Sequence, residues 1–570
     1  MSDENKLSAV EAIKEASRFL RGTIAEDLQN DAASFAKDNA QLLKFHGTYQ
    51  QDDREQRVAR DGVKSEKAYS FMVRTRIPGG DLTAEQFLAH LDLCDEIGNT
   101  TLKVTTRQAI QLHGILKGDL WKAIHRINEV ELSTLAACGD VNRNVMCCPA
   151  PYANQVHHEI QKVAHEIAMH LAPRSKAYHE LWVTDPQTQE ASLVGGSDEE
   201  YEPIYGKTYL PRKFKIGVGL ADDNCVDIYT QDLGFMAIVR DQKIIGYNVT
   251  VGGGMGMTPS ATKTFPALAK RMAFCTREQV LEVAEAVVKV QRDHGNRSDR
   301  KVARLKYVIA DKGVEWFRER VEAYCGYQLA DCHPDDVTGH NDHLGWEPQG
   351  DGLWFYGLNI ENGRVFDGPT RQWKSAIREI CHQLHPRLKL TAHQSILFTH
   401  LREDQKSTLE SILRKHGIPL SEEISTVRRW SIACVALPTC GLAITESERV
   451  LPEVIDQLEP ILESLGLEDD AFTIRMTGCP NGCARPFDAE VGLVGRAKGK
   501  YTLYLGGSRL GNRLGFIHRD MVPLEDISKV LHPLLSKFSQ LRQPGEGFGD
   551  FCTRVGNPSL VEWNEPPAVT

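Results

Sequence analysis

Two distant stretches of this chain spell out the same order of elements, and a repeated unit restricts the available folds more than any local signal. Residues 69–114, beginning YSFMVRTRIPGGDLTAEQFLAH, read as strand, glycine-containing turn, amphipathic helix, strand, Arg-Gln pair and apolar run. Residues 352–398, beginning GLWFYGLNIENGRVFDGPTRQWKSAI, repeat that order with a His-Gln pair. VRTRI alternates as a half-buried strand does, and Ala84, Phe87, Leu88 and Leu91 recur at helical spacing. Each copy leads into a cysteine- or arginine-bearing segment and a helix: RNVMCCPAPY before VHHEIQKVAHEIAMHL, and SIACVALPTCGLAITESERV before LPEVIDQLEPILESLG. A third parallel sets YLPRKFKIGVG beside FTIRMTGCPNGC. The pattern predicts an α+β protein of two duplicated modules around a shared centre.

Other segments give local expectations. Residues 8–18 and most of 277–345 have helical patterning, and HPDDVTGHNDHLG marks a boundary before the second copy. Leu451, Val454, Ile455, Leu458 and Leu462 predict a helix, with Thr445 and Glu448 as a capping box and Gly466 as its stop. Pro460 argues against that helix being unbroken. Residues 1–64, with QQDDREQR, read as a solvated arm or a docking segment for a partner.

The 570 residues are 41% apolar with a formal charge of -10, a globular composition without the basic footprint of a nucleic-acid binder. Fourteen cysteines are too few for a disulfide scaffold. The acidic start MSDENKLSAVEAIKEASRF has no apolar signal segment, and no apolar run is long enough to span a membrane. A reducing cytosol is the expected compartment.

Four of the cysteines form two pairs, Cys434 with Cys440 and Cys479 with Cys483, in CVALPTC and CPNGC. The gaps of five and three residues, 38 residues apart, suit an iron–sulfur cluster, a zinc site or buried core thiols. Pro and Asn-Gly turns at both pairs offer backbone N–H groups to cluster sulfurs. Cations recur outside these motifs: Arg74, Arg76, Arg107, Arg143, and Arg212, Lys213 and Lys215 in PRKFK. On a strand, Lys213 and Lys215 project to one face. Together they suit an anion or a polycarboxylate cofactor, or they are ordinary surface charge. Gly252, Gly253 and Gly254 allow close backbone approach to a ligand.

LRGTIAEDL, FHGTYQQDDR, RIPGGDLT, TTRQAIQLHGILKG, DVNRNVMC, GKTYLPRKFK, TGCPNGCARP, EVGLVGRA and GEGFGDF resemble the sulfite/nitrite reductase hemoprotein family over residues 20–551. The resemblance implies a three-domain α+β fold with two pseudo-symmetric halves. Its implied divisions are an N-terminal arm for flavoprotein docking (1–68), paired ferredoxin-like halves (69–135 and 346–420), a first siroheme-binding module (136–345) and a second module carrying the metal ligands (421–570). It implies that Cys434, Cys440, Cys479 and Cys483 ligate a [4Fe-4S] cluster and that Cys483 also ligates siroheme iron. Arg107, Gln111 and Arg212 are implied siroheme contacts. Arg74, Arg143, Lys213 and Lys215 would surround the bound anion. The implied activity is six-electron reduction of sulfite to sulfide, with electrons from a separate NADPH-dependent flavoprotein subunit. The alternative is a ferredoxin-linked sulfite or nitrite reductase. Gly441 and Ala484, beside the second and last cysteines, are small departures from the family pattern that remove no ligand.

Overall fold

Four five-stranded sheets form two matched pairs in the computed structural model, which describes residues 6–57, 66–175, 181–188, 190–195, 202–258 and 261–564. In the first pair every contact between neighbours is antiparallel. One sheet runs Thr48–Asp52, Tyr69–Thr75, Ile110–Ile115, Leu102–Val104, Arg364–Val365. Its counterpart runs Gly345–Pro348, Trp354–Leu358, Ile396–Leu401, Arg387–Leu390, Asp81–Thr83. The last strand of each comes from the other copy, so the two repeats exchange edges. One core follows from that exchange: Phe87, Leu91, Ile110 and Leu112 pack in one cluster with Leu358, Ile377, Leu388 and Ile396. Neither copy could keep its apolar face from water alone.

The second pair has two parallel contacts followed by two antiparallel ones. Its sheets run Met146–Cys147, Ile216–Leu220, Leu233–Arg240, Lys243–Val251, Lys270–Cys275 and Ser431–Ala433, Ile474–Thr477, Val491–Ala497, Lys500–Leu505, Phe516–Pro523. Their registers superpose. Ile216 faces Leu233 as Ile474 faces Val491, across connections of equal length. Met146 faces Gly217 as Ile432 faces Arg475. Phe214 therefore corresponds to Phe472, which is the alignment of FKIGVG with FTIRMT.

The Arg-Gln and His-Gln pairs fasten these modules to the exchanged core. Gln108 and Gln394 both adopt positive φ, 51° and 66°. That conformation is uncommon for a residue with a side chain and here turns each amide inward. Gln108 accepts from Cys147 N (2.9 Å) and donates to Leu390 O (2.9 Å). Gln394 accepts from Ala433 N (3.2 Å) and donates to Asn362 O (3.1 Å). Cys147 and Ala433 are equivalent by register, so each copy of the repeat holds the same point on its own module.

The N-terminal segment is not a solvated arm. Ala9–Ala16 is helical, as the patterning predicts, and Lys14 is 0% exposed, donating to Leu210 O (2.8 Å) and Glu11 (2.6 Å). Leu20, Phe35, Leu42 and Phe45 are buried, and Thr48–Asp52 is an edge strand of the first sheet. Charge alone misled because these partners lie far along the chain. Residues 1–5 and 58–65, part of the same expected arm, lie outside the described residues.

Residues 277–345 contain the expected helices, Val280–His294, Leu305–Lys312 and Val314–Cys325. The helix Leu451–Ser464 runs through Pro460, and Gly466 follows it at φ 65°. The expected capping box is absent. Thr445 accepts from Gly499 N (2.9 Å), and Glu448 pairs instead with Lys103 and Arg364 of the exchanged core. Among the described residues, no helix is long and apolar enough to cross a membrane.

Candidate cofactor and anion site

The loops that leave the parallel strands of the second module bring the four cysteines together. Cys434 directly follows Ser431–Ala433, and Cys479 and Cys483 follow Ile474–Thr477. Gly478 is required at that exit, because a Cβ there would lie 2.5 Å from Ala436 Cβ and Thr445 O. Its N–H points at Cys434 Sγ (3.4 Å), while Asn481 Nδ2 points at Cys479 Sγ (3.4 Å). Burial raises the thiol pKa of Cys434 and Cys440, and that of Cys479 to about 11; Cys483 adds to the rise in each case. Four thiols close enough to raise one another's pKa become thiolates when a cationic centre compensates their charge. Cys483 is the exposed member of the set.

Arg54 fixes the Cys440 loop from the N-terminal segment, donating to Ala443 O (2.9 Å) and Gly441 O (2.9 Å). The first-copy turn meets the Cys483 loop, where Thr106 Oγ1 donates to Cys483 O (3.0 Å). Neither contact was expected from sequence, since each joins segments without a shared motif.

The cations converge on the same place from the first half. Burial lowers the Lys213 pKa to about 7, helped by Arg143, Arg212 and Arg304. Burial pushes Lys215 well below the lysine range, followed by Arg107, Lys213 and Arg304; the charge of Cys483 acts oppositely on both lysines. Arg107 donates to Gln231 Oε1 (2.7 Å) and Asn144 O (2.5 Å), but its buried Nε has no partner among the described residues. Arg143 reaches Tyr49 Oη (3.2 Å), and Arg74 donates to Cys138 Sγ (2.8 Å). Gln111 faces Arg74 across the strand pair and, with its amide oxygen turned to the guanidinium, accepts from Nε (2.9 Å). Arg212 lies 3.9 Å from Asp140, which Arg300 already holds at 2.7 Å.

Among the described residues, Arg74, Arg107, Arg143, Lys213 and Lys215 have no carboxylate within ion-pair distance, whereas Arg300 and Arg304 are paired with Asp140 and Asp232. Uncompensated cations gathered at half-buried positions are costly unless anions arrive from outside the chain. The fit to a polycarboxylate group and a small oxyanion is therefore good. Asp232 also accepts from Lys215 N (2.9 Å), so the Arg304–Asp232 pair positions the lysine's backbone.

Gly252, Gly253 and Gly254 do not leave room for a ligand. A Cβ on Gly253 would lie 2.3 Å from Gln231 O and Tyr229 O, and one on Gly254 would meet Arg304 at 2.8 Å. The following turn docks on the second module, where Met257 N donates to Pro480 O (2.9 Å). Asp227 ties the modules beneath the site: its Oδ2 accepts from Arg475 (2.8 Å) and Arg485 (2.5 Å). Asp227→Ala would strand the buried Arg485 guanidinium and leave Arg475 with Asp488 alone, and is expected to cost about 3–5 kcal/mol. The check is a lowered thermal transition; an unchanged melting curve would remove the tie from the account.

A duplicated α+β scaffold presenting four facing thiols to a cation-lined interior defines a redox-cofactor protein. Comparisons with known proteins agree. The "Nitrite/Sulfite reductase ferredoxin-like half domain" model matches residues 63–130 and 347–416, and the "Nitrite and sulphite reductase 4Fe-4S domain" model matches residues 163–329. The chain is 46% identical over 550 residues to the sulfite reductase [NADPH] hemoprotein beta-component of Geobacillus thermodenitrificans, covering 96% of each. It is 44% identical over 559 residues to the protein of that name from Staphylococcus haemolyticus, covering 98% of this chain and 96% of the relative. The solved Mycobacterium tuberculosis NirA protein shares the fold, with a TM-score of 0.78 at 24% identity over 98% of each chain. The chain belongs to the nitrite/sulfite reductase family, and its two pseudo-symmetric halves are that family's fold.

Proposed function

We propose that this protein is the hemoprotein component of an assimilatory sulfite reductase, reducing sulfite to sulfide in the cytoplasm for cysteine biosynthesis. Electrons come from a separate flavoprotein subunit that oxidises NADPH. Relatives at 44% to 46% identity carry the NADPH-linked name, so the ferredoxin-linked alternative is not favoured. The observation that supports this reading best is the group of five cations without counter-ions among the described residues, gathered near the exposed thiol of a four-cysteine set.

In this reading Cys434, Cys440, Cys479 and Cys483 hold a [4Fe-4S] cluster, and Cys483 also holds the siroheme iron. When bound, the centres would supply electrons one at a time for the reduction of sulfite. Arg107, Gln111 and Arg212 belong to the siroheme pocket, with Gln111 acting through Arg74. Arg74 and Arg143 bind sulfite oxygens. Lys213 and Lys215 bind them too and supply protons as three oxygens leave as water. The chain divides at 1–68, 69–135 with 346–420, 136–345 and 421–570. The exposed face of the first segment docks the flavoprotein, while its inner face carries Tyr49 and Arg54.

Anaerobic purification followed by iron, acid-labile sulfide and visible spectroscopy tests the cofactors. Turnover of sulfite with NADPH plus flavoprotein, and separately with reduced methyl viologen, tests the activity. Fully loaded protein that contains zinc at the four cysteines and no tetrapyrrole absorbance would overturn the reading.

A further inference from the structure

We propose that Cys148, Asp223, Cys225 and His343 form a second metal site, a zinc-type structural centre in the first module. The four side chains are buried, and their donor atoms all lie within 4.8 Å of one another. Asp223 Oδ2 is 3.0 Å from Cys148 Sγ and 2.9 Å from His343 Nε2, and Cys148 Sγ is 3.7 Å from that nitrogen. Tetrahedral zinc with bonds of about 2.0–2.3 Å separates its ligands by roughly 3.3–3.8 Å. Those three donors need shifts of only tenths of an ångström to close on an ion, and Cys225 Sγ lies within 4.8 Å of each of them.

The topology supplies an independent argument. By the register of the parallel strands, Cys148 occupies the position of Cys434 and Cys225 that of Cys483. Ala221 stands where the second half has Cys479. The first half thus retains two of the thiols that face one another in the second and completes the set with a carboxylate and an imidazole. Two sulfurs with one oxygen and one nitrogen suit a single tetrahedral zinc rather than a cluster that needs four thiolates.

The surroundings hold these donors in place. Asp223 Oδ1 accepts from Asn341 N (3.0 Å) and Cys225 N (3.3 Å), which leaves Oδ2 facing the centre. His343 sits at φ 58°, and its N–H donates to Asn341 Oδ1 (3.1 Å). Gly357 lets the neighbouring strand approach, since a Cβ there would lie 1.8 Å from His343 O. His343 Nδ1 has no partner among the described residues and is the ring atom the metal would leave unsatisfied. His343 lies two residues before the strand Gly345–Pro348 that opens the second copy. The ion would pin the connection between halves to the first module.

The holoprotein, purified anaerobically and passed over chelating resin, should carry about one zinc per chain beyond its iron, measured by elemental analysis. Zinc-edge X-ray absorption should show two sulfur and two nitrogen or oxygen neighbours. Cys225→Ser should lower bound zinc at least about tenfold while iron, acid-labile sulfide and tetrapyrrole absorbance stay unchanged. If the variant does not fold, the absorption spectrum of the wild type decides. Wild-type protein that stays free of zinc after growth and incubation with zinc sulfate would overturn the proposal. So would zinc without sulfur neighbours, zinc retained by the variant, or a Cys148–Cys225 disulfide in the mass spectrum. Because iron is counted separately, failure here is distinguishable from failure of the sulfite reductase reading.

Discussion

Cys483→Ser is expected to bring sulfite turnover with reduced methyl viologen to background and to abolish the spectral coupling between tetrapyrrole and cluster. Serine keeps the side-chain volume but offers a hydroxyl in place of the thiolate that would bridge both metals. Misfolding would not explain such a loss. The loop that carries Cys483 is fixed through its backbone carbonyl to Thr106 and through Arg485 to Asp227, and neither contact uses the sulfur. The other three thiols remain facing one another, so iron and acid-labile sulfide can persist at reduced content while the two centres separate. Low-temperature magnetic resonance of the as-purified and reduced variant provides the measurement. An unchanged coupled spectrum would assign the bridge to another residue.

The sequence made the cysteine site legible because its cysteines are local. Turns with Pro, Asn and Gly set Cys434 to Cys440 and Cys479 to Cys483 in two short loops, and the structure brings those loops together. The duplication was legible for a similar reason: strand and helix periods survive in both copies. The exchange of edge strands was not, because Asp81–Thr83 and Arg364–Val365 are too short to carry a period. The packed N-terminal segment was misread because the partner of Lys14 is a carbonyl at Leu210. The triple glycine suggested a ligand, yet the space it leaves is filled by Gln231, Tyr229 and Arg304. A small residue in sequence reports close approach without naming what approaches.

The pseudo-symmetry also explains an asymmetry of chemistry. Asp227 is equivalent by count to Arg485, and these two residues pair with each other across the modules. A duplicated scaffold places equivalent positions face to face near its axis, where like charges would repel and opposite charges bind. Divergence at such positions lets one half supply an anion where the other supplies a cation. At the site itself the first half supplies cations and the second supplies thiols.

Lys215→Met is expected to lower sulfite turnover by about 10²–10⁴-fold with siroheme and cluster content unchanged, the range a lost acid–base group produces. Burial holds Lys215 well below the ordinary lysine range and Lys213 at about 7, so each gives up its proton more readily than an ordinary lysine, which arginine does not. An entering anion favours the protonated form of each, which draws the proton to where oxygen will leave as water. The sign for stability runs the other way in cofactor-free protein. There the unfolded chain binds protons that the folded chain has shed, so Lys213 makes stability rise with pH from about 7 towards the ordinary lysine range, and Lys215 acts in the same sense. Removing one buried charge should therefore flatten that rise without weakening the fold. Lys213→Arg separates the two roles, because it keeps the positive charge but not an easily lost proton. It should preserve sulfite affinity and still depress kcat, and a Lys213→Arg enzyme with full kcat would make that lysine purely electrostatic. Normal turnover in Lys215→Met would remove Lys215 from the chemistry and leave Arg74 and Arg143 to hold the anion without it.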